Sequence, residues 1–146
     1  MSATTIQSRD LMDACACTRL RTAARLITRA YDEALRPAGV NASQLAILVA
    51  IDVDEATSIA GLSKRLAMDR TTLSRNLKPL QGAGLVRLGA EGWKRSKTVH
   101  LTAQGRKRLA RAAVLWDAAQ RSFVERFGKA DWKRLENDLR SITALF

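Results

Sequence analysis

The feature that most restricts the fold is a pair of short helical patterns with almost no chain between them. The first follows Ser58, a suitable N-cap, and places Ile59, Leu62 and Leu66 on one face. Only the residues AMD precede Asp69, whose carboxylate suits the N-terminus of a second helix. These proportions predict a helix-turn-helix, in which the leucine faces of the two helices pack together.

The second of these helices has one apolar edge and one polar edge. Its apolar edge is formed by leucines three or four residues apart, namely Leu73, Leu77 and Leu80. On a helical wheel with Leu73 at zero, Thr71, Arg75 and Lys78 lie at about 160°, 200° and 140°. The hydroxyl and basic side chains are therefore predicted to point away from the core. Pro79 predicts a kink or a tightened last turn before Gly82 and Gly84 close the helix.

The positive charge of the chain is concentrated around this motif. The formal net charge is +11, and residues 61–111 hold 13 basic side chains against 2 acidic ones. The rest of the chain is balanced, with 12 basic and 12 acidic side chains. A block of this kind is typical of a surface that binds a polyanion. The alternative is a basic surface without a partner.

A short hairpin follows the second helix. Leu85, Val86 and Leu88 predict one strand, and Val99 and Leu101 predict another, around the glycine-containing turn GAEGWKRSK. Helix, turn, helix and basic hairpin in this order indicate a winged helix. The hairpin cations are expected to lie beside the duplex, where an arginine can enter a narrow minor groove; they are Lys94, Arg95 and Lys97.

The exposed edge of the second helix suits double-stranded DNA. The major groove admits one helix, arginine can bond a guanine edge, and threonine or serine can bond a base or a phosphate. The candidate base-reading residues are Thr71, Thr72, Ser74 and Arg75. The candidate phosphate contacts, which position the protein without reading sequence, are Lys64, Arg65, Arg70 and Lys78.

Long amphipathic patterns predict further helices on both sides. They span 11–36, 41–53, 103–127 and 129–145. Asn41, with Gln44 as its capping-box partner, begins the second of these, and its inner face is predicted to be Leu45, Leu48 and Val49. Thr102 caps the third, and Gly128 ends it.

At this point the sequence resembles the MarR family of winged-helix regulators. The matching stretches are GVNASQLAILVAI, LSKRLAMDRTTLSRNLKPLQGAGLV and RSKTVHLTAQGRKRL. The resemblance covers nearly the whole chain, with the elements in the same order. It implies a homodimer with interlocked first and last helices and a pseudo-palindromic operator. It also implies a repressor that is released by a small effector, often an aromatic or lipophilic acid.

The expected architecture is mainly α with a small β-hairpin. A winged helix-turn-helix core over 37–102 is flanked by dimerisation helices over 1–36 and 103–146, all in one compact unit. One position departs from the family pattern: Trp93 stands where an aspartate usually holds the hairpin tip, whereas Arg95 keeps the arginine position. Two alternatives stay open: Glu91 substitutes as the partner of Arg95, or Trp93 packs against the hairpin stem.

The two cysteines allow a thiol-based redox sensor as an alternative function. Cys15 and Cys17 lie within the predicted helix 11–36, where residues two apart point about 200° apart and cannot pair within one chain. Arg19 and Arg21 could lower a thiol pKa, and a bridge between two chains is conceivable. A buried apolar role is the favoured interpretation.

Other candidate sites are weaker. His100 alternates with buried-type neighbours and makes neither a metal site nor a general base on its own. Trp116 is a candidate for lining an effector pocket. The stripe formed by Arg21, Arg25 and Arg29 is typical of a solvated face, with a partner for an effector carboxylate as the alternative. No nucleophile–base pair, phosphate-binding loop or metal spacing is present, so neither an enzyme nor a cofactor is expected.

The remaining expectations concern location and rival functions. The chain shows no secretory signal or membrane-length apolar run, which favours the cytoplasm. Two rival readings stay open: an architectural or nonspecific nucleic-acid binder, and a protein-interaction module that binds no nucleic acid.

Overall fold

The computed structural model describes residues 6–54, 57–91 and 97–146. The helices are α1 Ser8–Ala14, α2 Ala16–Leu35, α3 Ala42–Asp54, α4 Ile59–Arg65, α5 Arg70–Gly82, α6 Ala103–Phe127 and α7 Lys129–Thr143, with a short 3-10 helix at Arg36–Ala38. The strands are β1 Thr57–Ser58, β2 Val86–Glu91 and β3 Lys97–Leu101. The predicted fold class, a mainly helical winged helix-turn-helix, is confirmed.

The predicted helix pair is present as α4 and α5. Ser58 Oγ accepts a hydrogen bond from the Gly61 amide at 2.9 Å, so the predicted cap of α4 is confirmed. Leu62 and Leu73 are fully buried where the two helices meet. α5 continues through Pro79 to Gly82, and Gly84, at φ +70°, turns the chain toward β2. The two helices therefore share one leucine core and present their polar edges outward.

The core is built around α3. Leu45, Ile47, Leu48 and Ile51 are all buried, because α3 packs against α2, α5, α6 and β3. The capping box is confirmed, since the Asn41 amide donates to Gln44 Oε1 at 3.0 Å and the Gln44 amide donates to Asn41 Oδ1 at 2.8 Å. The predicted inner position of Val49 is wrong, because 43% of its surface is exposed.

The sheet contains one strand more than the predicted hairpin. β1 pairs antiparallel with β3, giving the order β1-β3-β2, and Thr57 lies opposite Val99. β2 and β3 form the predicted hairpin, with Val86 opposite Leu101. Val99 and Leu101 face the core, whereas His100 between them is half-buried and its Nε2 lies 3.0 Å from Thr98 Oγ1. The sheet thus ties the start of the helix pair to the wing.

The predicted single helix over 11–36 is wrong at its N-terminal end. Cys15 has φ −69° and ψ 112°, which is an extended conformation, and it separates α1 from α2. The break frees the carbonyl of Asp13, which accepts a hydrogen bond from Arg19 Nε at 2.6 Å instead. A side chain six residues away therefore replaces the helical amide, and neither proline nor glycine is needed for the break.

The terminal helices bury little within one chain. Leu35 is the one buried residue of α2 and none of α7 is buried within the described ranges. A small aromatic cluster joins α6 to α7: the Phe123 ring stacks on Phe127 at 5.7 Å and meets Trp132 edge-on at 5.5 Å. Among the described residues, no single helix is long and apolar enough to cross a membrane. One bent pair, Ala16–Ala38 with Ala42–Asp54, meets the length and composition criteria, but it includes α3 of the core.

Candidate nucleic-acid interface

All of the predicted DNA-contacting side chains of α5 are exposed, and Thr71, Arg75 and Lys78 among them share the face opposite the leucines. The full set is Arg70, Thr71, Thr72, Ser74, Arg75 and Lys78. On the opposite face Leu73, Leu77 and Leu80 are at most 5% exposed. None of the three cations of α5 is paired with a carboxylate among the side chains that the structure describes. The helix therefore offers cationic and hydroxyl groups to solvent on a rigid, leucine-backed support.

The N-terminus of α5 is organised by Asp69. Its Oδ1 accepts the Thr72 amide at 2.8 Å, which confirms the predicted cap, and its Oδ2 accepts the Thr72 hydroxyl at 2.7 Å. These two bonds from Thr72 hold the pKa of the Asp69 carboxyl below its ordinary value. The sequence does not predict this second hydrogen bond. From the sequence, the Thr72 hydroxyl was expected to be free to bond a base or a phosphate.

The two candidate phosphate contacts of α4 differ. Lys64 and Arg65 are both exposed in its last turn. Arg65 Nη1 lies 2.5 Å from Asp54 Oδ1, at the end of α3, so its guanidinium is already neutralised on one side. No such pair involves Lys64 among the described residues. The Asp54 carboxylate could not be assigned to Arg65 from sequence spacing, because the two residues belong to different helices and lie eleven positions apart.

The wing is described only at its base. Lys97 is exposed at the start of β3, opposite Glu91 in the strand register. The tip residues Lys94 and Arg95 lie outside the described residues. Trp93 lies outside them too, as does the side chain of Glu91. The two proposed partners for the wing arginine therefore remain predictions.

A second feature is an apolar cavity between α2, α3 and α6. Its volume is about 470 Å³. It is lined by Tyr31, Leu35, Ala42, Leu45, Ala46, Val49, Leu109, Ala113 and Trp116. Trp116, the one effector-pocket candidate of the sequence analysis, thus lies in a cavity beside the winged-helix region. Val49 was missed as a lining residue because the helical pattern assigned it to the core, and Tyr31 was not singled out from its sequence position.

The polar groups around this cavity are few. The Tyr31 hydroxyl donates to Gln120 Oε1 at 2.5 Å, and burial raises the pKa of Tyr31. No charged side chain is among the lining residues. Arg21, Arg25 and Arg29 lie together along an exposed, separate face of α2. The cavity therefore suits an apolar or aromatic group better than a buried anion, which would lack a cationic partner.

The cysteines are accessible within one protomer. Cys15 is half-buried and Cys17 is exposed, so the predicted buried apolar role is not seen for them in the protomer. Because Cys15 lies outside both helices, the wheel argument against pairing within one chain no longer applies to it. Hydrogen bonds from Thr18 lower the pKa of the Cys15 thiol. No group of three or more potential metal ligands is found in the part of the chain that the structure describes.

Comparison with known proteins relates this chain to a family. Residues 38–96 match the sequence model described as the MarR family. The transcriptional regulator MosR of M. tuberculosis is 38% identical, with 92% of this chain and 96% of MosR covered and a TM-score of 0.81. A complex of MosR with DNA is also similar, at 38% identity and a TM-score of 0.79, covering 88% of this chain and 92% of MosR. Among curated protein sequences, none matches this chain significantly.

A more distant structural neighbour shares the fold alone. The transcriptional repressor CouR, bound to p-coumaroyl-CoA, is 21% identical with a TM-score of 0.82, covering 97% of this chain and 99% of CouR. MarR-family proteins are dimeric and bind DNA. The near-complete coverage of MosR at 38% identity shows the relationship for the whole chain rather than for the helix pair alone. This chain therefore belongs to the MarR family of DNA-binding transcription regulators.

Proposed function

We propose that this chain is a homodimeric, sequence-specific repressor that acts in the cytoplasm on a pseudo-palindromic operator. The observation that carries the proposal is the surface of α5, where Thr71, Arg75 and Lys78 are exposed and the leucines behind them are buried. A helix of this kind fits the major groove, and its arginine and hydroxyl groups match the chemistry of base edges and phosphates.

The apolar surface of the terminal helices supports the homodimer. Large apolar side chains are exposed at Leu11, Met12, Leu20, Leu26, Ile27, Phe127, Ile142, Leu145 and Phe146. Clusters of exposed apolar side chains mark interaction surfaces in soluble proteins, and here a second copy would set the two α5 helices for two half-sites. The division into 1–36, 37–102 and 103–146 is part of this proposal. It is supported by the buried cluster, whose members lie within 37–102 except for Leu35 and Ala112 of the two flanking helices.

The effector is proposed to bind in the cavity between α2, α3 and α6. An aromatic or lipophilic acid would place its apolar part against Trp116 and Val49 and leave its carboxylate at the rim, because the lining carries no charge. CouR, which shares the fold, is bound to an aromatic acyl thioester. Ligand binding between α2 and α6 of the dimerisation region and α3 of the winged helix can alter the spacing of the two α5 helices.

DNA binding is tested by salt titration against selected and random duplexes. A regulator should favour one palindromic duplex over random DNA by about 10³-fold or more. Equal affinity for every duplex would support the architectural rival. No binding even at low salt would support the protein-interaction module.

The effector is tested by release of the selected duplex with a panel of aromatic acids and their thioesters. Trp116→Ala should raise the concentration needed for release while leaving operator affinity unchanged. Val114→Ala is the matched control, because Val114 is an exposed apolar residue of the same helix outside this cavity. Equal loss of release in both variants would contradict the assignment of the cavity.

A second candidate function is a thiol switch at Cys15 and Cys17. It is favoured by the extended backbone at Cys15, which releases the first cysteine from helical geometry, and by the lowered pKa of its thiol. Oxidation by hydrogen peroxide would join the two sulfurs in one S–S bond and reduce the peroxide to two molecules of water. A bond across this break would change how α1 continues into α2.

The thiol switch is tested by peroxide treatment of the protein on its selected duplex. The expected result is release from DNA together with loss of both free thiols. Reducing and non-reducing gels then distinguish an intrachain bond from an interchain one. Unchanged release by peroxide after Cys15→Ser and Cys17→Ser together would rule out the switch.

A further inference from the structure

The side chain of Thr72 is exposed at the start of α5, yet its hydroxyl proton is already engaged. Thr72 Oγ1 donates to Asp69 Oδ2 at 2.7 Å, while the Thr72 amide donates to Asp69 Oδ1 at 2.8 Å. The carboxylate thus holds one residue at two points, which fixes both the helix N-terminus and the rotamer of Thr72.

This arrangement determines what Thr72 can offer to a ligand. A hydroxyl has one donor proton and two acceptor lone pairs. Because the proton is given to Asp69, the outward side of Oγ1 can only accept. An ionised carboxylate is also an acceptor only, and Asp69, like any aspartate with an ordinary or lowered pKa, is ionised at neutral pH.

Double-stranded DNA presents few partners for such a pair of acceptors. The N-terminal residues of a recognition helix are the ones that reach base edges in the major groove. Donors there are the amino groups of adenine and cytosine, whereas guanine O6 and N7, thymine O4 and the phosphate oxygens are all acceptors. The Thr72 hydroxyl therefore cannot donate a hydrogen bond to a phosphate, a guanine or a thymine.

Capping alone does not explain why a carboxylate occupies this position. Asn and Ser cap helices about as well as Asp. A negative charge that faces DNA weakens the attraction supplied by the neighbouring cations Arg70 and Arg75, both of which are exposed. Besides its favourable interaction with the helix dipole, the carboxylate differs from asparagine and serine in having no donor group, so the Thr72 hydroxyl must be the donor of this pair.

We propose that Asp69 is a specificity-determining positioning residue: it holds the Thr72 hydroxyl as an acceptor, which selects adenine or cytosine over guanine or thymine at one base of each half-site. This inference rests on the proposed function as a sequence-specific DNA-binding protein. Under this inference, the base preference at one operator position depends on a hydrogen bond within the protein as well as on the direct contact with the base.

The test is selection of duplexes from a randomised pool by the full-length protein and by Asp69→Asn. The asparagine keeps a carbonyl oxygen for the Thr72 amide, but its NH₂ group donates to Thr72 Oγ1 and frees the hydroxyl proton to point outward. The expected result is a change at one base per half-site, from adenine or cytosine to guanine or thymine. We expect a relative affinity change of about tenfold there, with the other positions unchanged.

If Asp69→Asn does not fold, two variants at Thr72 test the same inference. Thr72→Val removes the hydroxyl at nearly constant shape and should abolish discrimination at the same base. Thr72→Ser keeps the hydroxyl and should retain it. Replacing the selected base by an analogue without the amino group should weaken binding of the unaltered protein but not of Thr72→Val.

The outcomes separate the inference from the function on which it rests. If the unaltered protein selects no sequence, the proposed function fails. If it selects a sequence and Asp69→Asn selects the same bases with a uniformly lower affinity, Asp69 is a helix cap only and the inference is overturned. Retained discrimination in Thr72→Val would overturn it as well.

Discussion

The winged-helix region and the terminal helices use similar apolar residues in opposite ways. Every buried apolar residue of the described chain lies between Leu35 and Ala112. Outside this interval, side chains such as Leu26 and Leu145 are 60% and 76% exposed. The winged-helix region therefore completes its core within one chain, whereas the terminal helices present apolar surface that a second copy can cover. Stability should depend on protein concentration in one region and not in the other.

The largest effect is expected from Leu73→Ala in the helix-turn-helix core. Leu73 is fully buried, so its truncation removes apolar contacts and leaves a cavity. The free energy of unfolding should fall by about 2–5 kcal/mol at every protein concentration. Urea denaturation at two protein concentrations, a hundredfold apart, measures this.

Leu26→Ala is the matched change in the terminal helices. Because Leu26 is 60% exposed in the protomer, its truncation should leave unfolding at low concentration nearly unchanged. It should weaken the dimer instead, which sedimentation at several concentrations would detect. A concentration-independent loss in Leu26→Ala as large as that in Leu73→Ala would contradict the division into two regions.

The next effect concerns the joint between the two regions. A Cβ at Gly105, in the first turn of α6, would lie 2.0 Å from the carbonyl oxygen of Leu85. Since backbone must move to relieve this contact, Gly105→Ala should lower the free energy of unfolding by about 1–3 kcal/mol. The same turn is tied by Thr102 Oγ1, which donates to Gly84 O at 2.6 Å. Differential scanning calorimetry measures the shift.

Gly82→Ala is the control for this joint. A Cβ at Gly82 would meet nothing within 4 Å, and the residue lies in the last turn of α5 without a positive φ. The substitution should raise the free energy of unfolding by roughly 0.5–1 kcal/mol, because alanine has less backbone entropy to lose. If both glycine variants are destabilised equally, close packing at Gly105 is not the cause.

A third prediction distinguishes a specific DNA contact of α5 from a general effect of positive charge. Arg75→Ala should weaken affinity for the selected duplex by about 1–3 kcal/mol and relax base preference, while leaving unfolding nearly unchanged. Lys78→Ala should act mainly by reducing the salt dependence. Fluorescence anisotropy on selected and random duplexes at several salt concentrations measures both.

The matched control lies on a terminal helix. Arg121 of α6 is exposed and its Nη2 lies 2.9 Å from Asp117 Oδ2. Arg121→Ala removes the same charge but should not alter DNA affinity, and loss of this exposed pair affects stability by less than about 1 kcal/mol. Equal loss of affinity in both variants would mean that net charge, not the α5 surface, drives binding. Equal loss on random and selected DNA in Arg75→Ala would make Arg75 a phosphate contact.

What the sequence predicts well in this molecule is local chemistry. Ser58, Asp69 and Thr102 were assigned as helix caps because each bonds an amide only three residues away. The exposed edge of α5 was also predicted from local information, because one buried face gives its leucines a regular helical spacing. Family resemblance then supplied the dimer and the effector, which no local pattern indicates.

What the sequence did not predict depends on partners far along the chain. α3 packs on several sides, so its apolar residues lose a clear period and Val49 was placed on the wrong face. β1 exists because it pairs with β3, about forty residues later, and two residues alone form no pattern. The break at Cys15 depends on Arg19, and the engaged Thr72 hydroxyl depends on a rotamer; neither leaves a signal in residue type.

The smallest effect compares two carboxyl groups whose pKa values are lowered for different reasons. Asp69 is held by hydrogen bonds from Thr72, whereas the pKa of Glu136 in α7 is lowered by the hydrogen bond from Arg140, at 2.7 Å, and by the charge of Lys133. A depressed pKa means that each group stabilises the fold above the ordinary carboxyl pKa of about 4. That contribution is lost as the pH falls through the lower, folded-state value.

High salt should distinguish the two. Screening at about 1 M ionic strength reduces the Debye length to about 3 Å, which weakens exposed ion pairs but not a hydrogen bond within one turn of α5. Titration of the carboxyl ¹³C resonances should therefore show the pKa of Glu136 returning toward its ordinary value in high salt, while that of Asp69 stays low. If both return equally, the Asp69 carboxylate is not fixed by Thr72, and the winged-helix region is no more preorganised at this point than the surface of the terminal helices.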